Sequence, residues 1–125
     1  MRIDPLETRQ AVLAVKDWIE GEGDVEKPGR AALAAATRLS VRLLAQDAPG
    51  NSVEVRVPPF VAVQCIEGPK HTRGTPPNVV ETDAKTWLRL ATGQTTFDAE
   101  FESGKISASG TRAKEIADWL PVVKL

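Results

Sequence analysis

Apolar positions near the start of the chain recur at a helical period. Ala11, Val12, Val15, Trp18 and Ile19 fall on one side of a 3.6-residue repeat, with Leu13 off the stripe. That spacing predicts a helix over residues 5–20. Asp4 is placed to cap it, Pro5 suits the first turn, and Glu7 stands where a capping box wants an acceptor. Gly21 ends it, and an acidic loop follows over residues 21–29. A second helix is expected over about residues 28–46, rich in alanine, the best helix former. Its core stripe is Leu33, Ala36, Leu39 or Ser40, and Leu43, with Leu44 beside it. Arg30, Arg38 and Arg42 stand on the other side, as a solvated face or as a row able to touch phosphates.

The pattern then changes to period two. Val53, Val55 and Val57 alternate with Glu54 and Arg56, which predicts a half-buried strand. Residues 60–66 (FVAVQCI) are apolar at both alternating sets and suggest a central strand covered on two sides, in which Gln64 would need partners. Residues 67–77 read as an irregular loop, and residues 78–82 as a third strand. A helix follows from about Asp83 to Gly93, with Thr82 or Asp83 as its cap. Ala84, Trp87, Leu88 and Ala91 turn inward on it. A short helix over 96–103 carries Phe97 and Phe101. A strand over 105–109 follows, with Ile106 and Ala108 on one face. The closing helix places Ala113, Ile116, Ala117 and Leu120 on one stripe with Trp119 beside them, and Pro121 stops it. Strands clustered between helices argue for an α+β fold: helices on one face of a mostly antiparallel sheet of about four to five strands. The 125 residues suit one domain, 1–125, with an N-terminal helix and acidic loop (1–27) ahead of the core (28–125).

Composition narrows the chemistry. Sixteen Lys and Arg against seventeen Asp and Glu leave a net charge of −1, so there is no global field for nucleic acid. A single Cys excludes an intrachain disulfide, and one Cys with one His cannot build a four-ligand zinc site. No metal or cofactor is implied. No stretch reaches the roughly 18 to 20 apolar residues of a membrane span. The Met1-Arg2-Ile3-Asp4-Pro5 opening lacks a signal-peptide pattern, which points to a cytoplasmic protein.

Few motifs remain. Ser103-Gly104-Lys105-Ile106 fails as a phosphate-binding loop, because Ala99 replaces the first glycine and Ile106 the magnesium-binding hydroxyl. Lys70, His71 and Arg73 cluster among Gly68, Pro69, Gly74, Pro76 and Pro77. That loop is either a solvated turn or a stiff cationic holder of a carboxylate, phosphate or head group. Cys65 reads as a small core hydrophobe, and alternatively as a nucleophile served by His71. The six aromatic side chains are either a filled core or the walls of a cavity.

The stretch from Thr82 to Pro121 carries TDAKTWLRLATG, FESGKISASG and TRAKEIADWLP in that order. It resembles the C-terminal part of the sterol carrier protein type two superfamily. With SVEVRVPPFVAVQCIEGP and HTRGTPPNVVETD included, the chain is most similar to its bacterial sterol carrier branch over residues 28–121. The resemblance implies helices on one face of about five strands, with a tunnel between them for lipids or other apolar molecules. It places the helix cap at Thr82, the central aromatic at Trp87, the helix stop at Gly93 and the strand entry at Ser103-Gly104-Lys105. An acid often stands in that family where Lys85 sits here.

The function expected from this is a small binding or carrier protein for an apolar or acyl molecule. Phe60, Val63, Trp87, Leu88 and Phe97 would supply walls, together with Phe101, Ile106, Trp119 and Leu120. His71 and Arg73 would meet a polar head. The alternatives are an accessory or interaction module whose apolar faces meet a partner or a second copy in a homodimer, and a small enzyme using His71, Glu67 or Cys65.

Overall fold

The computed structural model describes residues 2–21, 25–68 and 78–125. The elements run α1 (Pro5–Leu13), α2 (Lys16–Glu20), α3 (Arg30–Asp47), β1 (Val53–Val57), β2 (Val61–Cys65) and β3 (Val79–Thr82). They continue with α4 (Ala84–Ala91), α5 (Phe97–Glu102), β4 (Ile106–Ser109) and a 3-10 helix (Ala113–Trp119). The fold is α+β, with a four-stranded mixed sheet in the order β2-β1-β3-β4. β1 pairs antiparallel with β2 and parallel with β3, and β3 pairs antiparallel with β4.

Register explains the two faces of the sheet. Val53, Val55 and Val57 stand opposite Cys65, Val63 and Val61, and Val55 stands opposite Val80. Thr82 and Val80 stand opposite Ile106 and Ala108. Directly opposed residues share a face, so this set forms one apolar surface under the helices. The other face carries Glu54, Arg56, Gln64, Glu81, Ser107 and Ser109, all exposed or half-buried. The expectation of a central 60–66 strand covered on both sides is corrected here. β2 is an edge strand whose outward residues, Ala62 and Gln64, are exposed, and Gln64 accepts a hydrogen bond from Asn51 Nδ2 at 2.8 Å. Alanine is small enough to stand on a solvent face, so its apolar character misleads the pattern. Cys65 lies fully buried on the inner face, where burial pushes its thiol up to about 11.

The helical layer rests on α3 and α4. Trp87 and Leu88 of α4 and Val41 and Leu44 of α3 are fully buried. The indole N–H of Trp87 donates to Ser40 Oγ at 2.8 Å, and Ser40 Oγ–H in turn bonds the Ala36 carbonyl at 2.6 Å. Of the two candidates for the α3 stripe, Ser40 is therefore the fully buried one and Leu39 is half-buried.

The single N-terminal helix expected over 5–20 is two helices. The chain turns at Ala14 and Val15, which brings Val12, Val15 and Ile19 together into the core. Trp18 is half-buried, with the Lys85 ammonium 5.3 Å from its ring centre. Asp4 caps α1 through Leu6 N–H at 2.9 Å, and among the described residues Glu7 makes no reciprocal capping bond. Gln46 exchanges two hydrogen bonds with the backbone of Ile3, which ties the N-terminus to α3.

The cap of α4 is Asp83, whose carboxylate accepts from Thr86 N–H at 3.1 Å. Thr82, which the resemblance assigned to that position, is still in β3, and its hydroxyl donates to the Lys105 carbonyl across the sheet. α4 and α5 both end in a Schellman turn. Gly93 N–H bonds Leu90 O and Gln94 N–H bonds Arg89 O; Gly104 and Lys105 repeat the pattern on Phe101 and Glu100. Both glycines have positive φ (77° and 82°), where a side chain would be strained. The closing helix is of the tighter 3-10 form, with Ala113 and Ile116 buried and Trp119 exposed. Beyond it Val122 and Val123 N–H both donate to the Ala91 carbonyl, one of the groups a helix end leaves unpaired.

Two outcomes test this packing. Ser40→Ala leaves a buried indole N–H unpaired and should cost about 2 kcal/mol in urea unfolding. Combined with Trp87→Phe, it should add far less to the loss caused by Trp87→Phe alone; simple additivity would contradict the bond. Because the folded thiol of Cys65 is raised from 9.0 to about 11, its contribution is whole below pH 9.0 and fades as pH rises through that window. The difference between the urea midpoints of the wild type and Cys65→Val should therefore be flat below that window and shift within it. A constant difference would contradict the assignment.

Candidate functional site

The β4 end of the sheet is built from short elements that leave space between them. Thr96 caps α5 by accepting from Ala99 N–H at 3.1 Å, while Thr95 Oγ1 donates to Glu100 at 2.8 Å. This fixes the helix so that Phe97 and Phe101, four residues apart, fall on one side. Their rings stack with centroids 6.1 Å apart and planes 10° from parallel. Phe97 is buried, whereas Phe101 stays 48% exposed. The 3-10 helix faces α5 from the other side.

Two clefts open between them. The first, of about 360 Å³, is lined by Leu90, Phe97, Ala117, Leu120 and Pro121, with Gly93, Thr95 and Thr96 at its lip. The second, of about 390 Å³, is lined by Phe97, Phe101, Glu102, Ala108, Gly110 and Ala113. Phe97, Asp98 and Lys114 belong to both. Lys114 Nζ and the Asp98 carboxylate are 2.9 Å apart and largely exposed, so their ion pair marks the junction of the two clefts. The hydrogen bond and charge of Asp98 hold Lys114 above its ordinary 10.5, so it stands as an ammonium group. Chemically the arrangement is a largely apolar trough with the Lys114–Asp98 ion pair at its middle and the Glu102 carboxylate lining its second half.

A second polar cluster lies at the start of the 3-10 helix. Arg112 pairs with Glu115 at 2.7 Å and donates to the Glu67 carbonyl at 2.8 Å. Its backbone N–H donates to Asn78 Oδ1, and Asn78 Nδ2 donates to the Ser52 carbonyl. Arg112 thus holds both Glu67 and Asn78. The Arg112–Glu115 side-chain hydrogen bond keeps Glu115 below its ordinary 4.5 and Arg112 above its ordinary value.

Of the side chains read from the sequence as ligand walls, Phe97, Phe101 and Leu120 come together at these clefts. Trp87, Leu88 and Ile106 are buried in the core and line neither. Phe60 and Val63 are half-buried at the opposite, β2, edge, and Trp119 is 41% exposed. His71 and Arg73 lie outside the described residues. Glu67 is exposed. The sequence reading named none of Asp98, Lys114, Leu90, Ala108, Ala113, Ala117 and Pro121 as site residues, although it placed the three alanines on inward faces. Alanine carries no positional signal for a wall, and the Lys114–Asp98 contact exists only after the chain folds.

Among the described residues no helix is long and apolar enough to cross a membrane. No curated protein matches the chain. A family model described as "Bacterial SCP ortholog" matches residues 29–122. That span takes in α3, the whole sheet, α4, α5 and the 3-10 helix, and with them every residue that lines the two clefts. On this match the chain belongs to the bacterial SCP ortholog family.

Proposed function

We propose that this protein binds a small acyl or otherwise apolar molecule in the paired clefts and acts as its carrier in the cytoplasm. The observation that carries the reading is the pair of apolar clefts sharing Phe97 and meeting at the Lys114–Asp98 ion pair. Each cleft falls in the size range of small-molecule sites. Membership of a sterol-carrier-type family supports the same class of ligand. An acyl chain would lie along Phe97 and Phe101. Its carboxylate would take Lys114 in exchange for Asp98, a swap that keeps the ammonium paired. Eight buried methylenes would contribute roughly 6 kcal/mol before ordering costs are subtracted.

A second reading is an interaction module, as a homodimer or on a partner enzyme. Phe101 at 48% and Trp119 at 41% exposure favour it, since apolar side chains left in water suit an interface.

A dansyl-labelled fatty acid should bind the wild type with enhanced, blue-shifted emission. Phe101→Ala, which alters an exposed wall, should weaken binding about tenfold with little change in melting temperature. Lys114→Ala should weaken the acid severalfold and leave its methyl ester unaffected. Affinity for the acid should be flat across neutral pH and fall only above the ordinary lysine value of 10.5, because Asp98 holds Lys114 higher than that. Probe uptake indifferent to all these changes would contradict the site. Absence of uptake, together with concentration-dependent sedimentation that Phe101→Ala abolishes, would favour the interaction module.

A further inference from the structure

β2 is paired on one side only. Among the described residues no strand lies beyond it. Which of its backbone groups are left over follows from β1. Glu54 N–H donates to the Asn78 carbonyl at 2.9 Å, toward β3. Alternate residues of a strand direct their backbone groups to the same side, so Glu54 and Arg56 serve β3 while Val53, Val55 and Val57 serve β2. The register then engages Val61, Val63 and Cys65 with β1, and turns the N–H and C=O of Ala62 and Gln64 outward. Both ends of this edge are closed. Arg38 Nε donates to the Phe60 carbonyl at 3.1 Å, and Ile66 N–H donates to the Ala48 carbonyl at 2.6 Å. What remains open is the stretch between them, at Ala62 and Gln64.

An edge left in water is normally blunted by a charge or a proline within the strand. The VAVQC of β2 has neither, and Val61 and Val63 are only half-buried on its inner face. On the outer face is a depression of about 390 Å³ walled by Pro58, Pro59, Phe60 and Ala62, with Arg56 and Glu81 at its sheet side. The two ends of the edge carry opposite charge. Arg38 stands at the Phe60 end, with the Arg30 guanidinium 5.7 Å from the centre of the Phe60 ring. Asp47 and Glu67 stand at the Ile66 end, one next to Ala48 and one next to Ile66, and both are exposed.

We propose that β2 pairs with the β2 of a second copy of this chain, antiparallel about Val63, so that the two sheets join into one. Ala62 then stands opposite the partner's Gln64, and both pairs exchange N–H···O=C bonds in both directions. A pairing about Ala62 or about Gln64 would match only one of these residues, because the other would meet Phe60 or Ile66, whose groups are taken. On the inner face Val63 meets the partner's Val63, which removes both from water. On the outer face Ala62 is small, so the partner's Gln64 fits over it toward the depression. The same register sets Phe60 opposite the partner's Ile66 and Pro59 opposite the partner's Glu67. Arg30 and Arg38 of each copy therefore meet the acids of the other, and the two-fold axis makes every contact twice. This surface lies at the β2 edge and the clefts at the β4 edge, and the inference does not rest on the ligand reading.

Sedimentation of the full chain over a concentration series tests it. The mass should rise toward twice that of one chain, and Phe101→Ala, at the opposite edge, should leave the rise unchanged. Hydrogen exchange reads the register: the amides of Ala62 and Gln64 should become protected as concentration rises, while those of Val61 and Val63 are protected throughout. Ala62→Pro removes an outward N–H without removing a bond to β1, and should weaken association about tenfold. Glu67→Arg should weaken it severalfold, and adding Arg38→Glu should restore it. Arg42, one helical turn on from Arg38, is the arginine nearest the two-fold axis, so Arg42→Gln relieves like charge and should tighten association. Thermal melts should show each variant folded. A single-chain mass at the highest soluble concentration would overturn the proposal and leave the edge to an extended segment of another protein. Association indifferent to both Ala62→Pro and Glu67→Arg, or a dimer whose Ala62 and Gln64 amides exchange freely, would also overturn it.

Discussion

Trp87 is completely buried, and a buried indole N–H must find an acceptor or carry a desolvation penalty of about 1–3 kcal/mol. Ser40 supplies the acceptor from the middle of α3, and its own proton goes to the Ala36 carbonyl. This relay fixes the rotation of α4 against α3. Much else follows from where α4 then ends. Gly93 turns the chain out of the helix, and the free Ala91 carbonyl receives Val122 and Val123 from the C-terminal tail. That return places Leu120 and Pro121 over Leu90 and Phe97, so the first cleft depends on a hydrogen bond in the core beneath it.

The sheet separates two kinds of surface. At the β4 edge, two short helical elements meet across alanines, and the gaps between them are the clefts. At the β2 edge, the long α3 packs directly on the strand and turns its arginines outward. The inner face of the sheet serves both edges with one continuous, mostly apolar set, valines on β1, β2 and β3 and Ile106 and Ala108 on β4.

Much of the architecture was legible because it obeys local rules. The alternation in VEVRV identifies β1, and all three of its valines are fully buried. Gly93 marks a helix end because glycine takes the positive φ of a Schellman turn without strain, whereas Gly104, read as a strand entry, closes α5 in the same way. What could not be read depends on partners distant in sequence. β2 looks central by composition, yet its rank is set by β1 pairing with β3 on the other side. Thr82 and Asp83 are equally good caps on paper, and the Thr82 hydroxyl is taken by the Lys105 carbonyl just ahead of the neighbouring strand. Of the candidate site, the aromatic pair and Leu120 were visible as periodic apolar positions, whereas the Lys114–Asp98 pair that joins the clefts had no local signature.

The central claim is that an apolar ligand occupies the space between α5 and the 3-10 helix. Titrating the isotope-labelled protein with laurate and following backbone amide and methyl resonances tests it most directly. The account predicts shifts concentrated at Leu90, Phe97, Phe101, Lys114, Ala117 and Leu120, with Val53, Val55 and Val57 unmoved. Saturable shifts confined to the β2 edge, or no saturable shifts at all, would contradict it.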